Sequence, residues 1–573
     1  MGEGTTTARR RTGGRRSITA IAVLAMIAAL FATAPVASAQ EAEGGKPPPP
    51  KQEWEPGEPS NSRRLCVGVR GNGPRLWAHF GALARIAEQY GPITCAAGGS
   101  SGSITAFFIE SIEINPAIDT CGDDQDCNNR GRRNREALLY KSVTGLPDVG
   151  LGGDIQQLVE LGNALAAADV LALLEGPTPQ EGVDALQRVL ADVVPLFNQE
   201  IAELLAQSPD PVFHARDIVE SVIGALDFAL DDPVPFVRPG IVNFDQLSNI
   251  LGRMASFYSG YGPFDGPGVD AWLDACAEAS RGLTWEETVG LPGTKGRTCG
   301  QEFADLYNAY RVDFDATSPT SRIDDPIGQY RRILAVTGVL TGDAVGQWET
   351  ARDQYYAAET VEFTPDFDDV QIGYWGRDRD LRRIERRLDR DFPGLQTDQF
   401  VALGQSSWRE VLSASPAEPG LSAGVPLRTG EISVGGWADP LRVQVLEAMG
   451  ARRTISVNRL GGVGGFTSGV AQLLGASDAE VDALFGFENS DFRVALDNAT
   501  GMWCTDWDAP DTFDVAGLFA DGYNAPFETD DPFFLRNRLV YENVTPNANL
   551  AGCTPGVLPS PELAEVMSGA AVR

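Results

Sequence analysis

Residues 98–102 read Gly-Gly-Ser-Ser-Gly and fit Gly-x-Ser-x-Gly, with Ser100 at the centre. Small residues at that spacing suit a nucleophilic serine on a strained strand-to-helix turn, where larger side chains would clash. Apolar strand-like text (residues 93–97) precedes the turn and apolar helical text (104–112) follows it, which separates it from an ordinary glycine-serine linker. Ser101 is the weaker nucleophile candidate, because residue 103 is Ser rather than Gly. One strand–helix unit upstream lies a second glycine-rich turn, Gly71-Asn72-Gly73-Pro74-Arg75. Glycine turns expose backbone N–H groups, and N–H groups of Gly71, Asn72 and Gly73 aimed at one point would stabilise an oxyanion. The chemistry this pair of turns suits is acyl transfer through a serine ester. A dinucleotide site is excluded, because the third glycine of Gly-x-Gly-x-x-Gly would be Leu76.

A serine nucleophile needs a base, and the chain holds only two histidines, His79 and His214. His79 falls within the helical text after the glycine turn, and His214 begins the ordinary helix start "HARDIVES". Both read as structural or surface histidines, so a carboxylate acting directly on Ser100 is the better expectation. A Ser-His-Asp hydrolase would need His214 at Ser100 and lacks the lipase-type oxyanion motif.

The elements that must position these turns alternate. "RRLCVGVRGNG" (63–73) reads as a buried strand running into a turn, and "PRLWAHFGALARIAEQYG" (74–91) as a helix bounded by Pro74 and Gly91. Residues 92–112 repeat the scheme. Such alternation predicts an α/β fold with a parallel sheet covered by helices. From about 117 to 355, apolar residues recur at three- and four-residue spacing between proline and glycine breaks, predicting a helical block. Strand text returns at 368–376, 431–436 and 452–458.

Composition sets the frame. The first 39 residues carry an arginine-rich start, an apolar run and Ala37-Ser38-Ala39, the pattern of a signal peptide. Arg15-Arg16 permits twin-arginine export. Residues 40–62 read as a linker rich in proline and glycine. No later segment has eighteen uninterrupted apolar residues, so no stable transmembrane segment is expected after cleavage, and the protein is expected to be exported, secreted or associated with the cell envelope. A formal net charge of −33 disfavours nucleic acid and anionic membranes as partners. The eight cysteines make an even number that can pair in an oxidising compartment. Proximity suggests Cys121–Cys127, Cys276–Cys299 and Cys504–Cys553, with Cys66 and Cys95 either bridged or buried as thiols. "CGDDQDC" (121–127) has neither zinc-site nor calcium-loop spacing, and no metal or organic cofactor is implied.

At this point the residues resemble the patatin-like phospholipases, which hydrolyse lipid acyl esters with a Ser-Asp dyad. Within "GNGPRLWAHFGAL" (71–83), Gly71, Gly73, Arg75, His79, Gly81 and Leu83 match the family's oxyanion stretch, while Asn72 and Leu76 replace glycines. Gly98, Ser100 and Gly102 match its nucleophile turn. "WREVLSASPAEPGL" (408–421) is similar to its Ala-Ser-x-x-x-Pro-Gly segment, and "SVGGWADPLRVQVLEAMGARRTISVN" (433–458) to its Asp-Gly-Gly region. Val434 stands where the family carries its catalytic aspartate. The resemblance therefore leaves three readings: Asp439 in the same turn region supplies the acid, Asp521 enters from the C-terminal region, or no base remains.

What it implies is a three-layer α/β/α core formed by residues 63–116 and 356–475, interrupted by a helical insertion (117–355) and followed by an extension (476–573). The implied function is lipid or related ester hydrolysis by Ser100, with Asp439 as acid and Gly71–Gly73 as the oxyanion loop. The alternative is a catalytically silent lipid-binding or interaction protein on the same fold.

Overall fold

The structure is a computed structural model, and it describes residues 65–69, 71, 76–90, 93–119, 125–146, 149, 234–237, 242–260, 267–317, 321–361, 370–391, 400–417, 422–435, 446, 449, 453–459, 501–505, 515–524 and 527–528. The signal-peptide and linker segments, Asn72, Gly73, Arg75, His214 and Asp439 lie outside the described residues.

The first two strands form where the apolar runs predict. β1 (Leu65–Val69) is buried at every residue, and β2 (Ile93–Gly99) pairs with it in parallel. Continuous apolar text of this kind marks a strand covered on both faces. Between them runs α1 (Trp77–Tyr90), and β2 leads into α2 (Ser101–Glu113).

The sheet continues through β3 (Arg332–Leu340), β4 (Val370–Trp375) and β5 (Phe400–Gly404) on one side of β2, and through β8 (Arg453–Arg459), β9 (Gly501–Thr505) and β10 (Phe527–Glu528) beyond β1. A short pair, β6 (Val425–Pro426) and β7 (Ile432–Gly435), attaches to β3. The fold class is α/β, but the sheet is mixed rather than parallel. β8, β1, β2 and β3 run in one direction, while β4 and β7 are antiparallel to β3.

Two expected boundaries move. β3 lies within the stretch read as helical insertion to residue 355, yet it is a central strand of the sheet. Its text, "RILAVTGVL", is rich in β-branched residues, but it stands between the helical segments Cys299–Thr317 and Asp343–Tyr356. The C-terminal region is likewise no detached extension. β9 and β10 complete one edge of the sheet, and α11 (Val515–Asn524) lies against α1.

Alternate residues of the strands feed two apolar clusters, one per face. Leu65, Val67, Ala96, Ile333 and Ala335 face a cluster containing α1, α2 and α3 (Gln125–Ser142). Cys66, Ala97, Leu334 and Val336 face another with Trp348 of α8 (Asp343–Tyr356) and Ile384 of α9 (Asp378–Asp391). Four helices of the expected insertion, α4 (Phe244–Tyr258), α5 (Pro267–Cys276), α6 (Trp285–Val289) and α7 (Cys299–Thr317), join the first cluster, while α8 and the short helix Val234–Val237 pack into the second, so the insertion shares the cores of the sheet. There Phe257 packs on Tyr307 with ring centroids 4.6 Å apart, and Trp285 packs on Phe303 at 5.2 Å.

Disulfides join Cys276 to Cys299, as proximity suggested, and Cys66 to Cys95 across β1 and β2 with Cα atoms 4.5 Å apart. The other two suggested pairs lie outside the described side chains. No helix among the described residues is long and apolar enough to cross a membrane.

Candidate functional site

Ser100 sits between the last residue of β2 and the first of α2, with φ 52° and ψ −130°. A non-glycine residue in this region is strained and persists only where its surroundings over-determine it. The motif glycines make the turn possible. A Cβ on Gly98 would overlap the backbone of Gly102, so the chain on the two sides of Ser100 approaches more closely than any side chain permits. The Ser100 side chain makes no cap bond to α2. Ser101 is the first helical residue and buried, so the strained turn belongs to Ser100, as the spacing indicated.

Both backbone groups of Ser100 are held. Its N–H donates to Ser415 Oγ at 3.0 Å. Its carbonyl accepts from the Ser103 N–H at 2.9 Å and from Ser103 Oγ at 2.7 Å. The first residue of the candidate oxyanion loop lies against the candidate nucleophile, since a Cβ on Gly71 would fall 2.9 Å from Ser100 Cβ and 3.5 Å from its Oγ. The structure thus brings Gly71 and Ser100 together, as the spacing of the two glycine turns predicts.

His79 is fully buried on α1, with Nδ1 2.9 Å from Thr105 Oγ1 of α2. The Thr105 hydroxyl donates to the Ser101 carbonyl, which leaves it to accept from His79, so the protonated tautomer at Nδ1 follows. This bond ties α1 to α2, the helix that follows Ser100.

Val434 lies in β7, where the register slips: Ser433 pairs with Val339 and Gly435 with the adjacent Gly338. Val434 is the extra residue of this bulge, and Gly435 takes φ 93°, a conformation that favours glycine. Val434 packs in the second apolar cluster, the cluster on the sheet face away from α2. It is a core residue with no proton-accepting atom. Its neighbour Ser433 turns to the α2 face, where its hydroxyl lies 2.7 Å from Thr337 Oγ1 and donates to Ala414 O at 2.9 Å.

The location of β7 bears on the acid. β2 pairs with β3 only as far as Val336, and β4 occupies the other edge of β3. β7, which pairs with β3 at residues 338–340, therefore continues the row of β2 beyond Gly99. It runs back toward Ser100 and reaches Gly435 two positions along β3 from the partner of Gly99, about 7 Å away. The four residues from Gly435 to Asp439 reach at most about 14 Å. Asp521 is half-buried within α11, which packs on α1, so it belongs to a helix rather than to the Asp-Gly turn its local text suggests.

Around this centre lie buried charges that motif reading does not reveal. Glu110 of α2 is sealed from solvent. Its carboxylate accepts from the N–H groups of Gly328 (3.4 Å), Tyr330 (3.0 Å) and Arg331 (3.2 Å), and from Trp408 Nε1 (2.7 Å). The guanidinium of buried Arg322 lies 3.5 Å away. Such saturation offsets the cost of burying the charge. Trp408 opens α10 (Trp408–Ala414), which ends beside Ser415, so the clamp on Glu110 also fixes the helix that delivers Ser415 to Ser100. No local signal marks Glu110, because its partners come from elsewhere in the chain.

Comparison of the chain with family models, curated proteins and solved structures found no match.

Proposed function

We propose that the protein is a serine acyl-ester hydrolase of the patatin-like type, acting on lipids or related esters. The observation that carries this reading is Ser100 at φ 52° on a strand-to-helix turn, with Gly71 of a glycine-rich loop against its side chain. A three-layer core of the family's kind accords with two apolar clusters on opposite faces of the sheet.

In the proposed reaction Ser100 Oγ attacks the ester carbonyl carbon while its proton passes to the acid, for which Asp439 is the candidate. Backbone N–H groups of Gly71–Gly73 hold the oxyanion as the carbonyl becomes tetrahedral. The C–O bond to the alcohol then breaks, and the departing oxygen takes the proton. Water repeats the sequence on the acyl-enzyme, releasing the carboxylic acid and restoring the serine hydroxyl.

A specific observation favours a second reading. Val434 is locked in an apolar cluster, so the dyad is incomplete at the position where the resemblance expects it, and a catalytically silent binding protein follows if no other carboxylate serves.

The test compares the mature protein with its Ser100→Ala variant on short-chain esters, on phospholipids and with a serine-reactive fluorophosphonate. Hydrolysis and labelling lost in the variant support the enzyme. Equal hydrolysis by both proteins overturns it, and labelling without turnover selects the silent reading. Asp439→Asn should lower turnover by about 10³-fold or more if Asp439 is the acid.

A further inference from the structure

The Ser100 backbone is held in its strained conformation by a residue 315 positions away in the chain. Ser415 is fully buried just beyond the last residue of α10, and its single hydroxyl is used twice. It accepts the Ser100 N–H at 3.0 Å and donates to the carbonyl of Val336 in β3 at 2.8 Å. Val336 is the β3 residue paired with Gly99, so the bridge spans the strand pair at the point where β2 stops being a strand. A buried N–H left without a partner carries a desolvation penalty comparable to the strain of the turn itself.

We infer that Ser415 is a positioning residue, which sets the direction of Ser100 Oγ by pinning the nucleophile's backbone N–H to β3. The inference rests on the serine-hydrolase reading and adds a component to it. Because the Ser100 N–H is committed to Ser415, the N–H groups that meet the oxyanion must come from other residues, the Gly71–Gly73 loop foremost. With the Ser103 bonds to the Ser100 carbonyl, both peptide groups flanking the nucleophile are anchored before substrate arrives. Loss of one anchor lets the turn relax and displaces Oγ without removing any atom that touches substrate.

A matched control exists within the chain. Ser256 of α4 is also fully buried, and its hydroxyl accepts from the Arg322 N–H at 3.0 Å and donates to the Gly252 carbonyl at 2.8 Å. Ser256→Ala and Ser415→Ala remove the same two bonds from equally buried sites, but only the second touches Ser100. The experiment measures the second-order rate of fluorophosphonate labelling and the kcat and KM for a short-chain ester, below the melting temperature of each variant. Ser415→Ala should lower labelling and kcat by about 10²-fold with KM little changed, as expected for a misplaced nucleophile. Ser256→Ala should leave both rates near those of the native protein. Ser415→Thr, which keeps the hydroxyl, should recover most of the rate. Ser415→Cys, close in size but a weaker acceptor, should label more slowly than the native chain and keeps the test open if the alanine variant does not fold. Equal rates for Ser415→Ala or Ser415→Cys and the native protein, or equal losses in Ser415→Ala and Ser256→Ala, would overturn the inference. Absence of labelling in the native protein itself would instead bring down the hydrolase reading on which it depends.

Discussion

At Ser100 a left-handed backbone costs a non-glycine residue about 1–3 kcal/mol, and the cost is met locally by Ser415, Ser103 and the bare Gly98–Gly102 contact. A second polar feature, where α3 meets the end of α2, carries a pH signature. Glu136 of α3 is fully buried, and its ionisation is pushed well above the usual carboxylate range by burial first and by the charge of Glu113 second. Glu113, at the end of α2, is paired to Arg132 at 3.2 Å. One oxygen of Glu136 accepts the Ile93 N–H at the start of β2, and its other side meets Glu113, which calls for a proton between the two carboxyls. The folded chain therefore keeps a proton that the unfolded chain releases near pH 4.5, and this group's contribution to stability falls as pH rises from there through the raised value. Glu136→Gln supplies that hydrogen permanently. Thermal melting at pH 5 and pH 8 should show the variant losing less stability than the native protein over that interval, and an identical loss in both would remove Glu136 from the pH dependence. The strained turn at Ser100 and the approach of Gly71 were legible because each glycine-rich turn is written in about five consecutive residues. Ser415, Glu110 and Glu136 were not, because each acquires its meaning from partners that only the fold brings near.

Among the elements, the crossing of α1 and α11 is set by two glycines. A Cβ on Gly81 would overlap the Phe519 carbonyl, and one on Gly522 would overlap that of Ala78. The helices approach backbone to backbone, which holds α1 against α11. On an open helix face, replacing glycine by alanine stabilises by about 1 kcal/mol. Here the sign should reverse: Gly522→Ala should destabilise by at least about 1–3 kcal/mol in a denaturant titration, since neither backbone can yield cheaply. A gain in stability would refute the close crossing. The first four elements were readable from periodicity and caps, and three further strands from strand-like text. β3 was missed because nine strand residues stand inside a long helix-like tract. The antiparallel direction of β4 was missed because pairing between distant strands is not written in either one alone.

Over the whole molecule, the helices read as an insertion and the segment read as an appendage share cores and sheet with the strands that hold Ser100. Lys141 of α3 shows the integration in one contact: it is buried against Glu88 of α1, which also accepts from Tyr523 of α11. The Cys66–Cys95 bridge lies at the centre of this assembly, with both residues at 0 % exposure. Neither an oxidant nor a reductant reaches it once the helices are in place. Its history is therefore fixed by chronology: the bond has to close while the two central strands are still open to their surroundings, and a chain that folds reduced keeps two buried thiols for as long as it stays folded. Under native conditions a reductant and an alkylating agent should leave Cys66 and Cys95 unmodified, whereas the same treatment in denaturant should label both, as peptide mapping would show. The order of two events, oxidation before burial, then decides which of two covalent forms of the protein a cell or a laboratory obtains.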